Sequence, residues 1–272
     1  MNQTAANTES SIYQRVLLNI NDGIAYVKLS RADKHNALDL TMFRAIVKAQ
    51  QTIAKNPSVR VVIVHGAGES FCSGLDVRSV LANPLTGLKL LFKWLPGNAN
   101  LAQQVSVGWR RLKVPVIMVL HGNCWGGGMQ IALGGDFRIA ANNTSLSIME
   151  ARWGLIPDMG GTVALRENLA ADHAKRLAMT AQTITAEQAQ AINLVTVIAD
   201  NPMQVAKEMA DSIINRSPDA IREIKRLCQS ISYWQERKIL AAETIKQLKI
   251  LLGKNQKIAV KREQKNANIP YR

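Results

Sequence analysis

The chain has 272 residues, enough for one large domain and too few for two. Its hydrophobic (47%) and charged (20%) fractions suit a sizeable buried core, and no apolar run approaches the ~18 residues of a membrane span. Lys and Arg number 34 against 20 Asp and Glu, a net charge of +14 that would suit nucleic acid, a membrane surface or an anionic ligand. That excess is local. Between Arg222 and Arg272 lie 13 basic and four acidic residues, so this segment alone carries +9. The start from Met1 to Ser11 has neither the basic opening nor the apolar stretch of a secretory signal. Cys72, Cys124 and Cys228 are widely spaced and form no zinc-like cluster with His35, His65, His121 and His173. These features predict a cytoplasmic protein with reduced thiols and no metal.

In chain order, Val16 to Ile20 and Ile24 to Leu29 flank Asn21-Asp22-Gly23 and read as a β-hairpin. Leu40, Phe43, Ile46, Val47 and Ile53 share one helix face. Val59 to His65 contains four consecutive aliphatic residues and reads as a strand buried on both faces. Helical patterns cover Leu101 to Leu112, Gly127 to Leu133 and Ala174 to Thr180. Further strands are expected at Val116 to Leu120 and Leu194 to Ile198. This alternation predicts an α/β core with parallel strands. From about Met203 the pattern is almost wholly helical, with Ser217-Pro218 as one helix start. The expected organisation is a core over residues 1–200 and a helical region over 201–272. The stretch from Leu81 to Asn100, with Pro84, Gly87, Pro96 and Gly97, reads as irregular.

Three segments could carry chemistry. Phe71-Cys72-Ser73-Gly74-Leu75-Asp76 is a small-residue break after a buried strand, able to turn the Leu75 N–H toward a ligand or simply to cap a turn with Asp76. His121 to Gln130 holds Gly126-Gly127-Gly128 between a strand and a helix, where missing Cβ atoms let a ligand reach backbone N–H groups, or let elements pack closely. The third runs from Ser147 to Gly161. Its two carboxylates, Glu150 and Asp158, stand among apolar, Gly and Pro positions that could raise a carboxyl pKa toward that of a general base. The plainer alternative pairs Glu150 with Arg152 on a solvated face and uses Asp158 as a helix cap. His65, Cys124 and Trp153 read as packing or structural residues. No GxGxxG, GxxxxGK[ST] or GxSxG motif occurs.

The three segments, in this order and with Ser30 to Leu38 ahead of them, resemble the crotonase (enoyl-CoA hydratase/isomerase) superfamily from about Val16 to Tyr271. The resemblance implies a spiral of repeated β-β-α units. Its helical C-terminal region would serve as subunit interface and active-site cover, in trimers or paired trimers. It also implies an acyl-CoA thioester as substrate, with no separate cofactor. The thioester oxygen would be held by the N–H groups of Leu75 and Gly127, with further substrate contacts at Lys34, Asn36, Ala37, Leu38 and Asp76. Hydratases of this type use two glutamates. The second corresponds to Glu150, and Gln130 stands at the first, where an amide cannot accept a proton as a carboxylate does. Asp158 matches a position that is acidic in the family's dienoyl-CoA isomerases. The resulting expectation is double-bond isomerisation with Glu150 as base and Asp158 and Gln130 beside it. Hydration despite Gln130, or CoA-thioester binding with little catalysis, stands as the alternative. Basic residues near Lys34 and on the late helices would then attract the CoA phosphates, and nothing beyond the +9 segment points to nucleic acid.

Overall fold

The computed structural model describes residues 10–77, 79, 84–265 and 269–271; most of the polar N-terminal stretch and residues 81–83 of the irregular segment lie outside them. The hairpin forms where the Asn-Asp-Gly turn places it. Strands β2 (Val16–Asn21) and β3 (Ile24–Leu29) pair antiparallel with Leu18 opposite Val27. Asp22 and Gly23, at φ 49° and 80°, make the two-residue turn. A short β1 (Ser10–Ile12) adds to the outer edge of β2.

From β3 onward the sheet is parallel. It continues through β4 (Val61–Gly66), β5 (Val116–Leu120), β7 (Phe137–Ala141) and β10 (Val197–Ala199), in the order β1-β2-β3-β4-β5-β7-β10. The aliphatic run in β4 is explained by its two covered faces. Val62 and Val64 join the main core with α1 (Leu40–Lys55), whereas Val61 and Ile63 pack with Ala206 and Ala210 of α8 (Pro202–Ile214). Helix α1 starts where the Asp39 side chain accepts the Met42 N–H at 2.7 Å.

A second sheet is built from three-residue strands, β6 (Asn123–Trp125), β8 (Ser145–Ser147) and β9 (Thr183–Thr185). Such strands are too short to show a period of two, so the sequence pattern does not reveal them. The expected strand at Leu194 begins later, at Val197. Leu194 and Val195 are buried in a loop, and the buried Arg138 side chain donates to the Leu194 carbonyl at 2.8 Å. Part of the segment expected to be irregular is helical: α2 spans Pro84–Leu91.

The remaining helices are α3 (Leu101–Arg110), α4 (Gly127–Leu133), α5 (Gly161–Asn168), α6 (Ala171–Thr180) and α7 (Ala186–Ala191). The C-terminal region adds α9 (Pro218–Cys228), capped by Ser217, then α10 (Tyr233–Leu251) and α11 (Lys254–Lys265). The buried face of α10 is mostly polar, with Glu236, Glu243, Thr244 and Gln247 around Leu240. Helix α11 packs on the 3-10 turn Glu150–Trp153, where Arg152 pairs with Glu263 at 2.5 Å. No helix among the described residues is long and apolar enough to cross a membrane.

Candidate active site

Two backbone N–H groups meet where the first two candidate segments fold together. Leu38 and Leu75 form an isolated parallel bridge, in which the Leu38 N–H donates to the Gly74 carbonyl (2.8 Å) and the Asp76 N–H donates to the Leu38 carbonyl (3.0 Å). Strand geometry then turns the Leu75 N–H away from Leu38, and it finds no acceptor among the described residues. Gly74 adopts φ +96°, and a Cβ there would lie 2.9 Å from the Trp125 carbonyl and 3.5 Å from the Gly127 nitrogen. Glycine is required on both counts. Gly127 opens α4, so its N–H has no intrahelical acceptor either.

Both groups lie on the wall of a cavity of about 470 Å³ that Gln130, Glu150 and Asp158 also line. The rest of the wall is largely apolar, including Phe43, Leu90, Leu91, Met149, Leu155 and Met159. Trp153, read from the sequence as a packing residue, lines this cavity as well.

The Glu150 carboxyl is buried rather than solvated. It does not pair with Arg152, which turns to Glu263 instead. Its Oε1 accepts the Gln130 Nε2 hydrogen at 2.6 Å, and its Oε2 is buried without a partner. Burial pushes this carboxyl above the usual range, and the Gln130 donor opposes the shift. The Gln130 Oε1 in turn accepts the N–H of Met159 (2.9 Å) and of Gly161 (3.3 Å), so its carboxamide is oriented from both ends. Asp158 is half-buried and caps nothing; α5 is preceded by Gly160 in a left-handed conformation. Burial, then the charges of Glu243 and Glu150, push Asp158 up to about 8.

The expected substrate contacts Lys34, Asn36, Ala37, Leu38 and Asp76 lie outside the wall of this cavity. Asn36 is fully buried. It accepts the Arg31 N–H (2.8 Å) and donates to the carbonyls of Ala67, Ser70 and Phe71, which leaves its amide nothing for a ligand. Leu38 packs beneath the site, Ala37 offers its carbonyl to Arg31, and Asp76 pairs with Arg31 at 2.9 Å. Lys34 is exposed. This segment braces the Leu75 loop rather than reaching the cavity.

Cys124 is buried and its thiol is pushed well above the ordinary range by burial, while burial holds His65 down at about 4; neither lines the cavity. Among the described residues no group of three or more His, Cys, Asp or Glu is arranged to hold a metal ion. Sequence reasoning missed Gln103 of α3 and Glu243 and Gln247 of α10, which converge on the segment 156–162. The only signal of Glu243 and Gln247 is a helical stripe of polar residues on α10, which apolar periodicity overlooks.

The fold and this wall of backbone donors and buried carboxyl groups define a crotonase-type chain. The enoyl-CoA hydratase/isomerase family model matches residues 19–260, and the chain belongs to that family. It is 25% identical over 245 residues, 87% of both chains, to a hydroxycinnamoyl-CoA hydratase-lyase of Pseudomonas fluorescens. It is 28% identical to a trans-2-decenoyl-(acyl-carrier-protein) isomerase of Streptococcus mutans, covering 87% of this chain and 90% of that one. An enoyl-CoA hydratase/isomerase structure from Pseudoalteromonas atlantica superposes with a TM-score of 0.83 at 16% identity, covering 95% of this chain and all of that one, a likeness of fold. The relatives differ in reaction, so the chemistry must be argued from the site.

Proposed function

We propose that the cavity binds an acyl-CoA thioester and that Glu150 moves its double bond from the 3,4 to the 2,3 position. The thioester oxygen would sit between the N–H groups of Leu75 and Gly127. As Glu150 takes a proton from C2, the electron pair of that C–H bond becomes an enolate whose charge rests on the thioester oxygen. Two preorganised donors in a dry site favour that charge, and losing one typically costs ~3–4 kcal/mol. Return of a proton at C4 then leaves the double bond between C2 and C3. The apolar wall suits an acyl chain, and the positive C-terminal segment suits attraction of the CoA phosphates.

The observation that carries this reading is the state of the two residues at the paired-glutamate positions. Glu150 has one oxygen fixed by Gln130 and one buried oxygen without a partner, as a base needs before substrate enters. Gln130 has its carbonyl oxygen taken by two N–H groups and its amide nitrogen by Glu150, so it orients without accepting a proton. Hydration by two carboxylates therefore lacks a member. Assaying the purified protein with 3-enoyl-CoA and 2-enoyl-CoA of several chain lengths tests this: isomerisation that collapses in Glu150→Gln is expected. Hydration that survives Glu150→Gln would overturn both the reaction and the base.

A further inference from the structure

A third carboxylate reaches the site from the C-terminal region. Glu243 of α10 is 4% exposed, and it does not line the cavity. Its Oε2 accepts the Gly160 N–H (3.0 Å) and the Gln103 Nε2 hydrogen (2.8 Å), while its Oε1 accepts the Thr162 hydroxyl. On the other side of the same turn, Gln130 holds the N–H groups of Met159 and Gly161. Residues 159 to 162 are thus gripped alternately by a side chain of α4 and a side chain of α10. Asp158 stands at the head of that turn, facing the cavity.

The charges around it are unequal in their support. The Gly160 N–H, the Gln103 amide and the Thr162 hydroxyl all donate to the Glu243 oxygens and oppose the upward push that burial gives this carboxyl. Lys93, after α2, is the cation that feels Glu243, and its ammonium is spent on the Leu240 and Pro96 carbonyls (2.8 and 3.2 Å). Glu150 keeps the Gln130 donor. Asp158 shares the cavity wall with Glu150, feels the charge of both carboxyl groups, and has no side-chain donor of its own among the described residues. Burial raises all three carboxyl groups, and Asp158 alone lacks a side-chain donor to oppose it among the described residues, in keeping with its rise to about 8.

We propose that Glu243 is a positioning residue for the reaction: bound to the Gly160 N–H and the Thr162 hydroxyl, its carboxylate seats the turn that presents Asp158 and makes Asp158 the proton donor opposite Glu150. This rests on the acyl-CoA reading above and adds to it. Glu150 removes the proton at C2, and Asp158 delivers its own at C4, so the two carboxyl groups exchange protonation states once per turnover. Proton transfer through solvent then resets them.

The test compares wild type with Glu243→Gln, Glu243→Asp and Thr162→Val. The readouts are the pH profile of kcat for 3-enoyl-CoA isomerisation and, without turnover, an infrared titration of Asp158 taken as wild type minus Asp158→Asn. Glu243→Gln keeps the shape and removes the charge. Its alkaline limb is expected to fall by about one pH unit, a roughly tenfold loss of kcat above the limb with KM little changed, and the infrared titration to fall with it. Glu243→Asp is expected to restore the limb. A folded Glu243→Gln whose limb and infrared titration both stay in place overturns the proposal. If Glu243→Gln does not fold, Thr162→Val, which removes one donor, must move both readouts in the same direction by less, and unmoved readouts overturn it equally. Absence of any turnover by wild type would instead sink the acyl-CoA reading, with the infrared titration still deciding whether Glu243 sets the protonation of Asp158.

Discussion

Gln130 and Glu150, twenty residues apart on different elements, meet through a 2.6 Å hydrogen bond from amide nitrogen to carboxyl oxygen. The same amide holds two backbone N–H groups of the Asp158 turn, so one uncharged side chain sets the position of both acidic groups. Gln130→Ala should therefore lower kcat about 100-fold through misplacement with KM changed less, and cost about 1–3 kcal/mol of stability for the N–H groups left unpaired. Gln130→Glu should do something different. It restores a second carboxylate able to activate water, so the ratio of hydration to isomerisation should rise by about 100-fold, read by product analysis on 2-enoyl-CoA and 3-enoyl-CoA. A Gln130→Glu variant with an unchanged ratio would show that the amide does not select the reaction.

The closeness of the two donor loops gives a second prediction. A Cβ on Gly128 would lie 2.3 Å from the Cys72 carbonyl oxygen and 2.8 Å from the Cys72 Cβ, contacts made by backbone and by the base of a buried side chain. Neither can swing aside, so Gly128→Ala must push the 72–75 loop away from α4. Overpacking of this kind costs about 1–3 kcal/mol, a drop of several degrees in Tm. It also separates the Leu75 and Gly127 N–H groups. Thermal melts and isomerase assays of the same preparation should show both losses; a variant with wild-type activity and lowered Tm would dissociate that spacing from catalysis.

The main parallel sheet was legible in the sequence because Val61 to Val64 and Val116 to Leu120 are apolar on both faces, and α1 because its apolar residues share one helix face. The donor loops and Glu150 were legible as small-residue breaks and as a carboxyl among apolar neighbours. The second sheet was not, since three residues per strand carry no period. Glu243 was not legible either, because a buried polar residue is recognised by the donors that meet it, and Gly160, Thr162 and Gln103 approach from distant parts of the chain. The bracing role of the buried Asn36 amide, which donates to the carbonyls of Ala67, Ser70 and Phe71, was not legible for the same reason.

Arg110 ties the C-terminal region to the core. Its guanidinium donates to both Glu167 oxygens (3.1 and 2.7 Å), to Glu236 (2.9 Å) and to the Ile231 carbonyl (2.9 Å), with only 11% of its side chain exposed. Arg110→Ala leaves the buried Glu236 and the half-buried Glu167 short of a partner and should cost about 3 kcal/mol, lowering Tm by on the order of 10 °C. Arg226 pairs with Glu223 on the exposed side of α9, more than half exposed, so Arg226→Ala should change stability by no more than about 0.5 kcal/mol. Equal effects of the two substitutions would show that the buried network does not hold the C-terminal helices in place.

Asp158 makes stability depend on pH in a direction opposite to that of an ordinary salt-bridged carboxylate. Its carboxyl is pushed up to about 8 in the fold, by burial first and then by Glu243 and Glu150, against an ordinary value of 3.8. Below the ordinary value both folded and unfolded chains hold the proton, and the residue takes no part. As pH rises from about 4 toward 8, the unfolded chain releases the proton while the folded chain keeps it, so unfolding becomes progressively easier. Above about 8 both states are ionised and the full loss persists. Asp158→Asn removes this dependence while keeping the shape. The Tm of the variant should therefore rise relative to wild type between the acidic and mildly alkaline ends of that window, measured by circular dichroism melts in matched buffers. A difference that stays constant across the window would mean that Asp158 ionises in the fold as it does in the unfolded chain, and that it is no acid at neutral pH.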